Sequence, residues 1–171
     1  MIVAIHLGAQ TNNSFTDARD SKTYKTISIG TQTWMAENIA YKAGNGCWAY
    51  NDNAENAATY GYLYWYETAK TVCPTGWHLP SDAEWILLVK YLQGEKVAGS
   101  KLKQNGFLPL AAGFRNTFGV YSGLTTHGMW WSSTWNSAMN AWYRLLTFES
   151  SKFEKRSLGK MSAFSVRSVK D

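Results

Sequence analysis

Cys73-Pro-Thr-Gly-Trp-His-Leu-Pro-Ser-Asp-Ala-Glu-Trp85 is the stretch on which the fold reading turns. Inside it, Ser81 and Glu84 stand three residues apart, the spacing of a capping box. The Ser81 hydroxyl can accept from the Glu84 amide while the Glu84 carboxylate reaches back to the Ser81 amide. Trp85, Leu88, Val89 and Leu92 come next at i, i+3, i+4 and i+7, which gives a helix one apolar face. Gly94 is a natural stop. The pattern predicts a helix over 82–93. His78, just ahead of the cap, reads as a structural residue at a loop-to-helix entry.

Working outward, 24–29 alternates, with Ile27 and Ile29 on one face, Gly30-Thr31 can turn the chain, and 32–35 returns as the second arm of a hairpin. The polar stretch 11–20 reads as linker or loop, and 45–56, rich in Asn, Gly and Asp, as loop. Leu63, Tyr66 and Lys70 sit at near-helical spacing and predict a second helix over 57–70. Beyond the central helix, 108–112, 128–134, 141–149, 152–156 and 164–169 read as strands. Helices followed by a run of strands indicate an α+β domain. The domain is assigned to 15–171, with 1–14 as an N-terminal extension or a short first strand.

The chain has 171 residues, enough for one domain with a real core. Aromatics make up 15% and charged residues 17%, which excludes a disordered chain. The formal charge is +5, but Lys and Arg are dispersed, and the densest stretch, 152–160, is interrupted by Glu154. A nucleic-acid partner is therefore not expected, nor is membrane insertion, since no long apolar run exists.

The chemistry-bearing residues are sparse. His6, His78 and His127 lack ligand spacing, and the two cysteines, Cys47 and Cys73, are far apart, so no zinc site is expected. There is no Gly-x-Ser-x-Gly elbow, no phosphate-binding glycine pattern and no telling pair of carboxylates. The expectation is no enzyme, no catalytic residue, no cofactor and no metal, with Asp52 or Asn53 left as loop oxygens that calcium could use.

Several motifs then occur in order: Thr33-Trp-Met-Ala-Glu-Asn38, Tyr60-Gly-Tyr-Leu-Tyr64, the 73–85 block, Trp130-Trp-Ser-Ser-Thr134, Ala141-Trp-Tyr-Arg144 and Phe164-Ser-Val-Arg167. Together they resemble the Fibrobacter succinogenes major paralogous domain over residues 15–171. The resemblance implies a C-type-lectin-like fold, two helices packed on a small twisted antiparallel sheet with long loops. It implies an extracellular or cell-surface location. It also implies a likeness to the variable proteins of diversity-generating retroelements, whose C-terminal stretch is mutated at chosen codons; the matching stretch is 130–167. The alternative is a structural adhesin, pilus-tip or cell-surface module without a varied face. Relatives often carry a Cys where this chain has Ser168, as partner of the one matching Cys73. A Cys47–Cys73 bridge would need the two Cα atoms within about 7 Å; buried free thiols are the other reading. The oxidase chemistry of the formylglycine-generating relatives needs a late cysteine pair, and no cysteine follows residue 73.

Within the matching stretch, Trp131 and Arg144 are expected to support the fold. The binding residues are sought between the motif positions: Trp135, Asn136, Ser137, Met139 and Asn140 in a loop, then Tyr143, Thr147, Glu149, Ser151, Lys152, Phe153 and Lys155 along the following strands. Aromatics for contact area and Ser/Asn for adaptable hydrogen bonds are the mix of a paratope. A protein or glycan receptor is the expected partner; the oligomeric state is not read from the sequence.

Overall fold

A computed structural model describes residues 13–107 and 110–171. The expected extension or first strand in 1–14 therefore lies, except for Asn13 and Ser14, outside the described residues. In chain order the elements are β1 (Asn13–Thr16), β2 (Thr23–Ile29), β3 (Gln32–Met35), β4 (Cys47–Trp48), a 3-10 turn (Tyr50–Asp52), α1 (Ala54–Tyr60), β5 (Leu63–Trp65), α2 (Tyr66–Ala69), β6 (Trp77–His78), α3 (Asp82–Tyr91) and α4 (Glu95–Gln104). The remaining elements are β7 (Ala112–Arg115), β8 (Tyr121–Leu124), β9 (His127–Trp135), β10 (Asn140–Thr147), β11 (Glu154–Gly159), β12 (Ala163–Phe164) and β13 (Val169–Lys170).

The strands form three sheets, ordered β1-β2-β3-β13-β6, β11-β10-β9 and β4-β5-β12-β7-β8. This overturns the expected α+β, C-type-lectin-like arrangement of two helices on one small sheet. The described chain is mostly β, with four short α-helices distributed around three sheets.

Two local features account for the difference. The helix predicted over 57–70 is cut at Gly61, whose φ of 80° and ψ of −178° end α1. Leu63 and Tyr64 then face opposite sides of β5, and both are fully buried, Leu63 in a cluster with Ala112 and Ala163 and Tyr64 in the one that holds Trp131 and Phe164. Burial on both faces imitates helical spacing over so short a run. The helix predicted over 82–93 does stop before Gly94, whose N donates to Val89 O at 2.9 Å, but Gly94, with φ 100°, also caps the start of α4, a helix the sequence pattern does not predict. The predicted loop over 45–56 holds β4, the 3-10 turn and the start of α1, and β1 lies inside the predicted linker. Strand 164–169 divides into β12 and β13, which enter different sheets.

The capping box forms as its spacing predicts. Glu84 N donates to Ser81 Oγ at 3.3 Å and Ser81 N to Glu84 Oε2 at 2.8 Å. Trp85, Leu88, Val89 and Leu92 are buried against Trp34, Trp130 and Phe153. The predicted hairpin also forms, β2 pairing antiparallel with β3 through the turn at Gly30.

Both cysteines are free and part-buried, and burial pushes each thiol up to about 11, so the thiolate is scarce. Ser168 donates to Cys73 Sγ at 3.0 Å, which places it where the resemblance puts a partner cysteine. Ser168→Cys should form a disulfide with Cys73 and raise the unfolding free energy by about 4.7 kcal/mol at most, for a loop of nearly a hundred residues. The check is a melting temperature that rises without reductant and falls back with it. Three thiols of the variant still titrating in the oxidised, unfolded protein, rather than the single thiol of Cys47, would show that no bridge forms.

His78 is held between two carboxylates, Nδ1 at 2.6 Å from Asp171 Oδ1 and Nε2 at 2.7 Å from Glu84 Oε1. Burial lowers its pKa, but the hydrogen bonds to Asp171 and Glu84 outweigh that and leave it above 6.5. A raised folded pKa means the imidazolium stabilises fully below the unfolded pKa and stops doing so as pH rises through the folded one. Melting temperature should therefore fall as pH rises above about 6.5, the unfolded histidine pKa. His78→Gln should flatten that slope; an unchanged slope would assign it to other groups.

Candidate ligand-binding surface

The long hairpin of β9 and β10 ends in the turn 136–139, and its geometry is set by short polar side chains. Asn136 N and Ser137 N donate to Asn140 O at 3.1 and 3.3 Å, and Asn140 N donates to Ser137 Oγ at 3.0 Å. A register shift between Ala141 and Tyr143 offsets the two strands here. Trp135 and Met139 are left pointing to solvent, 62% and 73% exposed.

A second turn, 160–162, joins β11 to β12 and docks on the first. Lys160 N donates to Met139 O at 3.0 Å, and Lys160 Nζ to Ala138 O at 3.0 Å. The same ammonium lies 5.5 Å from the Trp135 ring centre and 5.3 Å from that of Tyr66, fixing one face of the indole. Tyr66 in turn donates from its hydroxyl to Ser133 O. Met161 projects outward.

The third turn, 116–120, joins β7 to β8. Asn116 Oδ1 accepts from Phe118 N at 3.0 Å and Val120 N at 2.9 Å, so the tip is rigid. Phe118 is 89% exposed and Val120 is exposed beside it. Gly159 is where the three turns meet: a Cβ built there would lie 3.9 Å from both Asn140 Oδ1 and Thr117 Cγ2.

The residues expected to form one face are thus divided. Trp135, Asn136, Ser137, Met139 and Asn140 share the end just described. Thr147, Glu149, Ser151 and Lys152 lie at the other end of β10, roughly 24 Å away for an eight-residue strand. That far turn is tied to α4: Ser151 Oγ donates to Lys96 O at 2.8 Å, and Lys103 Nζ binds the carbonyls of Phe148 and Ser150 at 2.7 and 2.8 Å. Lys155 pairs with Asp82 Oδ2 at 2.6 Å and lies 4.1 Å from the Trp142 ring centre.

Two expected contact residues are core. Phe153 is fully buried between Trp85 and Trp130, with ring centroids at 5.7 and 5.9 Å. Tyr143 is 7% exposed and packs on Phe164 at 4.8 Å. Phe153 precedes β11, so no strand alternation marks its direction, and Tyr143 lies in β10, where Tyr143, Arg144, Leu145 and Leu146 are buried in succession and no single face stands out.

Phe118, Val120, Lys160 and Met161 escaped the sequence reading. A signal existed: Asn116-Thr-Phe-Gly-Val120 puts two apolar side chains into a turn, where no core can receive them. Asp52, a candidate for calcium, accepts from the Tyr121 hydroxyl at 2.7 Å, and among the described residues no group of three or more His, Cys, Asp and Glu converges to hold a metal. No described helix is long and apolar enough to cross a membrane.

Fold and surface together define a mostly β domain that displays apolar turns from a tryptophan-rich core. The family model of the Fibrobacter succinogenes major domain matches residues 27–170, and the chain belongs to that family. No curated protein and no solved structure matches it. The motif residues Trp34, Asn38, Tyr64, Trp85, Trp130, Trp131, Arg144, Phe164 and Arg167 are all buried.

Phe153→Ala should lower the unfolding free energy by about 3–5 kcal/mol, the range for truncating a buried Phe. Trp135→Ala should cost less than about 1 kcal/mol, the size of an exposed cation–π contact. Urea unfolding of the two variants checks this; equal losses would contradict the inward and outward placements.

Proposed function

We propose that this is a non-catalytic recognition domain, displayed at the cell surface or outside it, whose contact surface is the end formed by the turns 116–120, 136–139 and 160–162. The observation that carries the reading is that Phe118, Val120, Trp135, Met139 and Met161 are all exposed on or beside three turns gathered around Gly159. Apolar groups gathered in this way gain free energy on leaving water and lose little entropy, because the turns are already fixed. Asn136, Ser137 and Asn140 supply a polar rim.

Between a protein and a glycan receptor, these turns favour a protein. Methionine and valine side chains offer no flat ring for a sugar, whereas mixed aromatic and methionine patches suit protein contacts. The finer reading, a retroelement-diversified protein varying over 130–167, fits the exposed positions 135–139 and 161. It does not fit Trp130, Trp131, Arg144, Phe153 or Arg167, whose replacement would open the core. An undiversified adhesin or pilus-tip module would use the same surface.

The test is retention of the labelled domain on immobilised mucin, fibronectin and collagen. At least one should retain it, and Trp135→Ala with Met139→Ala should reduce retention tenfold or more, as for a binding hot spot. No retention on any of the three, or retention untouched by the double substitution, would overturn the proposal.

A further inference from the structure

Every arginine but one pairs with a carboxylate or bonds a carboxamide and a carbonyl. Arg19 pairs with Asp17, Arg144 with Glu95 and Asp82, and Arg156 with Glu154, while Arg167 donates to Asn38 and to the Phe107 carbonyl. Arg115, on β7, has no carboxylate within ion-pair reach among the described residues. Its guanidinium lies 4.4 Å from the Trp48 ring centre and 5.8 Å from that of Tyr121. Its buried Nε has no acceptor, and neither has Nε1 of Trp65, which packs on Trp48 at 4.8 Å. Desolvating a donor without a partner is unfavourable, and here two such donors lie in one cluster.

The opposite charge sits on the same ledge without cancelling it. Asp52 is exposed and accepts from the Tyr121 hydroxyl at 2.7 Å. Burial and that hydrogen bond push the phenol up to about 12, against the opposing charge and hydrogen bond of Arg115, so it stays a donor to Asp52 at any physiological pH. Asp52 and its neighbour Asn51 both hold left-handed backbone, φ 55° and 54°, a conformation non-glycine residues adopt reluctantly. Tyr50 packs on Tyr121 at 5.3 Å and completes a row of part-exposed rings from three segments of chain.

We propose that this ledge of Trp48, Tyr50, Asp52, Trp65, Arg115 and Tyr121 binds a neutral carbohydrate. A pyranose presents an apolar C–H face and a rim of hydroxyls that both donate and accept. The rings receive the face, Asp52 accepts from one hydroxyl and Arg115 donates to another. A purely anionic ligand would meet Asp52 unfavourably, and a purely cationic one would meet Arg115. The ledge adjoins the turn 116–120, since a Cβ on Gly119 would come within 2.9 Å of Arg115 Nη2, but its contacts come from other residues than the protein-binding turns. The two sites stand or fall separately.

The experiment titrates the domain with cellohexaose, xylohexaose, mannohexaose and N-acetylchitohexaose, and with an acidic hexapeptide, following tryptophan fluorescence and the indole N–H resonances. At least one oligosaccharide should bind, with an affinity insensitive to added salt. Asp52→Asn, an exposed change that spares the fold, and Arg115→Gln should each weaken it tenfold or more, while Trp135→Ala with Met139→Ala leaves it unchanged. The proposal is overturned if none of the sugars binds, if Asp52→Asn leaves affinity intact, if the turn variant abolishes sugar binding, or if only the acidic peptide binds.

Discussion

A single carboxamide, that of Asn38, joins four segments far apart in the chain. Its Oδ1 accepts from Trp130 Nε1 and from the Arg167 guanidinium, both at 2.8 Å, and its Nδ2 donates to Tyr60 O at 2.8 Å and Leu110 O at 3.2 Å. Arg167 is fully buried, and burial pushes its pKa down to about 9, so it is still a cation at neutral pH. A cation there is tolerated because the Phe107 carbonyl at 2.6 Å and Asn38 accept from it, and because the Phe107 and Trp130 rings flank it at 4.4 and 5.8 Å. Loss of those acceptors would leave a charge in the core with nothing to replace water.

This junction explains how three sheets behave as one body. Arg167 lies between β12 and β13, and each of these two-residue strands is inserted at the interior of a five-stranded sheet. Between them Ser165 reaches the remaining sheet, accepting from Trp131 N at 3.3 Å and donating to Met129 O at 3.0 Å. Eight residues late in the chain therefore close a structure whose other elements were laid down earlier. The turns that carry Trp135, Met139 and Phe118 project from the strands so anchored. The same order places the Trp48 ledge beside them, since β12 pairs with both β5 and β7.

The helix at 82–91 and the β2–β3 hairpin are legible because their signals are local: a hydroxyl three residues from a carboxylate, and a glycine turn between alternating arms. Gly61 and Gly94 mislead because a glycine marks a change of direction without specifying the element beyond it. The candidate surface is half legible. Trp135 to Asn140 reads as a loop with aromatic and amide side chains; 136–139 is one, and Trp135 and Asn140 are the strand ends that flank it. Phe153 and Tyr143 read the same way by residue type and are core, while the turns of Phe118 and Met161 reach the end that holds Trp135 only through pairings of distant strands.

Composition, the capping box and the ordered tryptophan, asparagine and arginine motifs belong to the sequence, and they determined the family and the residues that build its interior. Such features depend on chemistry within a few residues or on a pattern repeated along the chain. Which motif side chains meet at Asn38, which strands neighbour one another, and which aromatics are left facing water were decided by tertiary structure alone. Those outcomes rest on contacts between residues as far apart as Met35 and Arg167, and a strand pattern two residues long carries no record of the partner it will find.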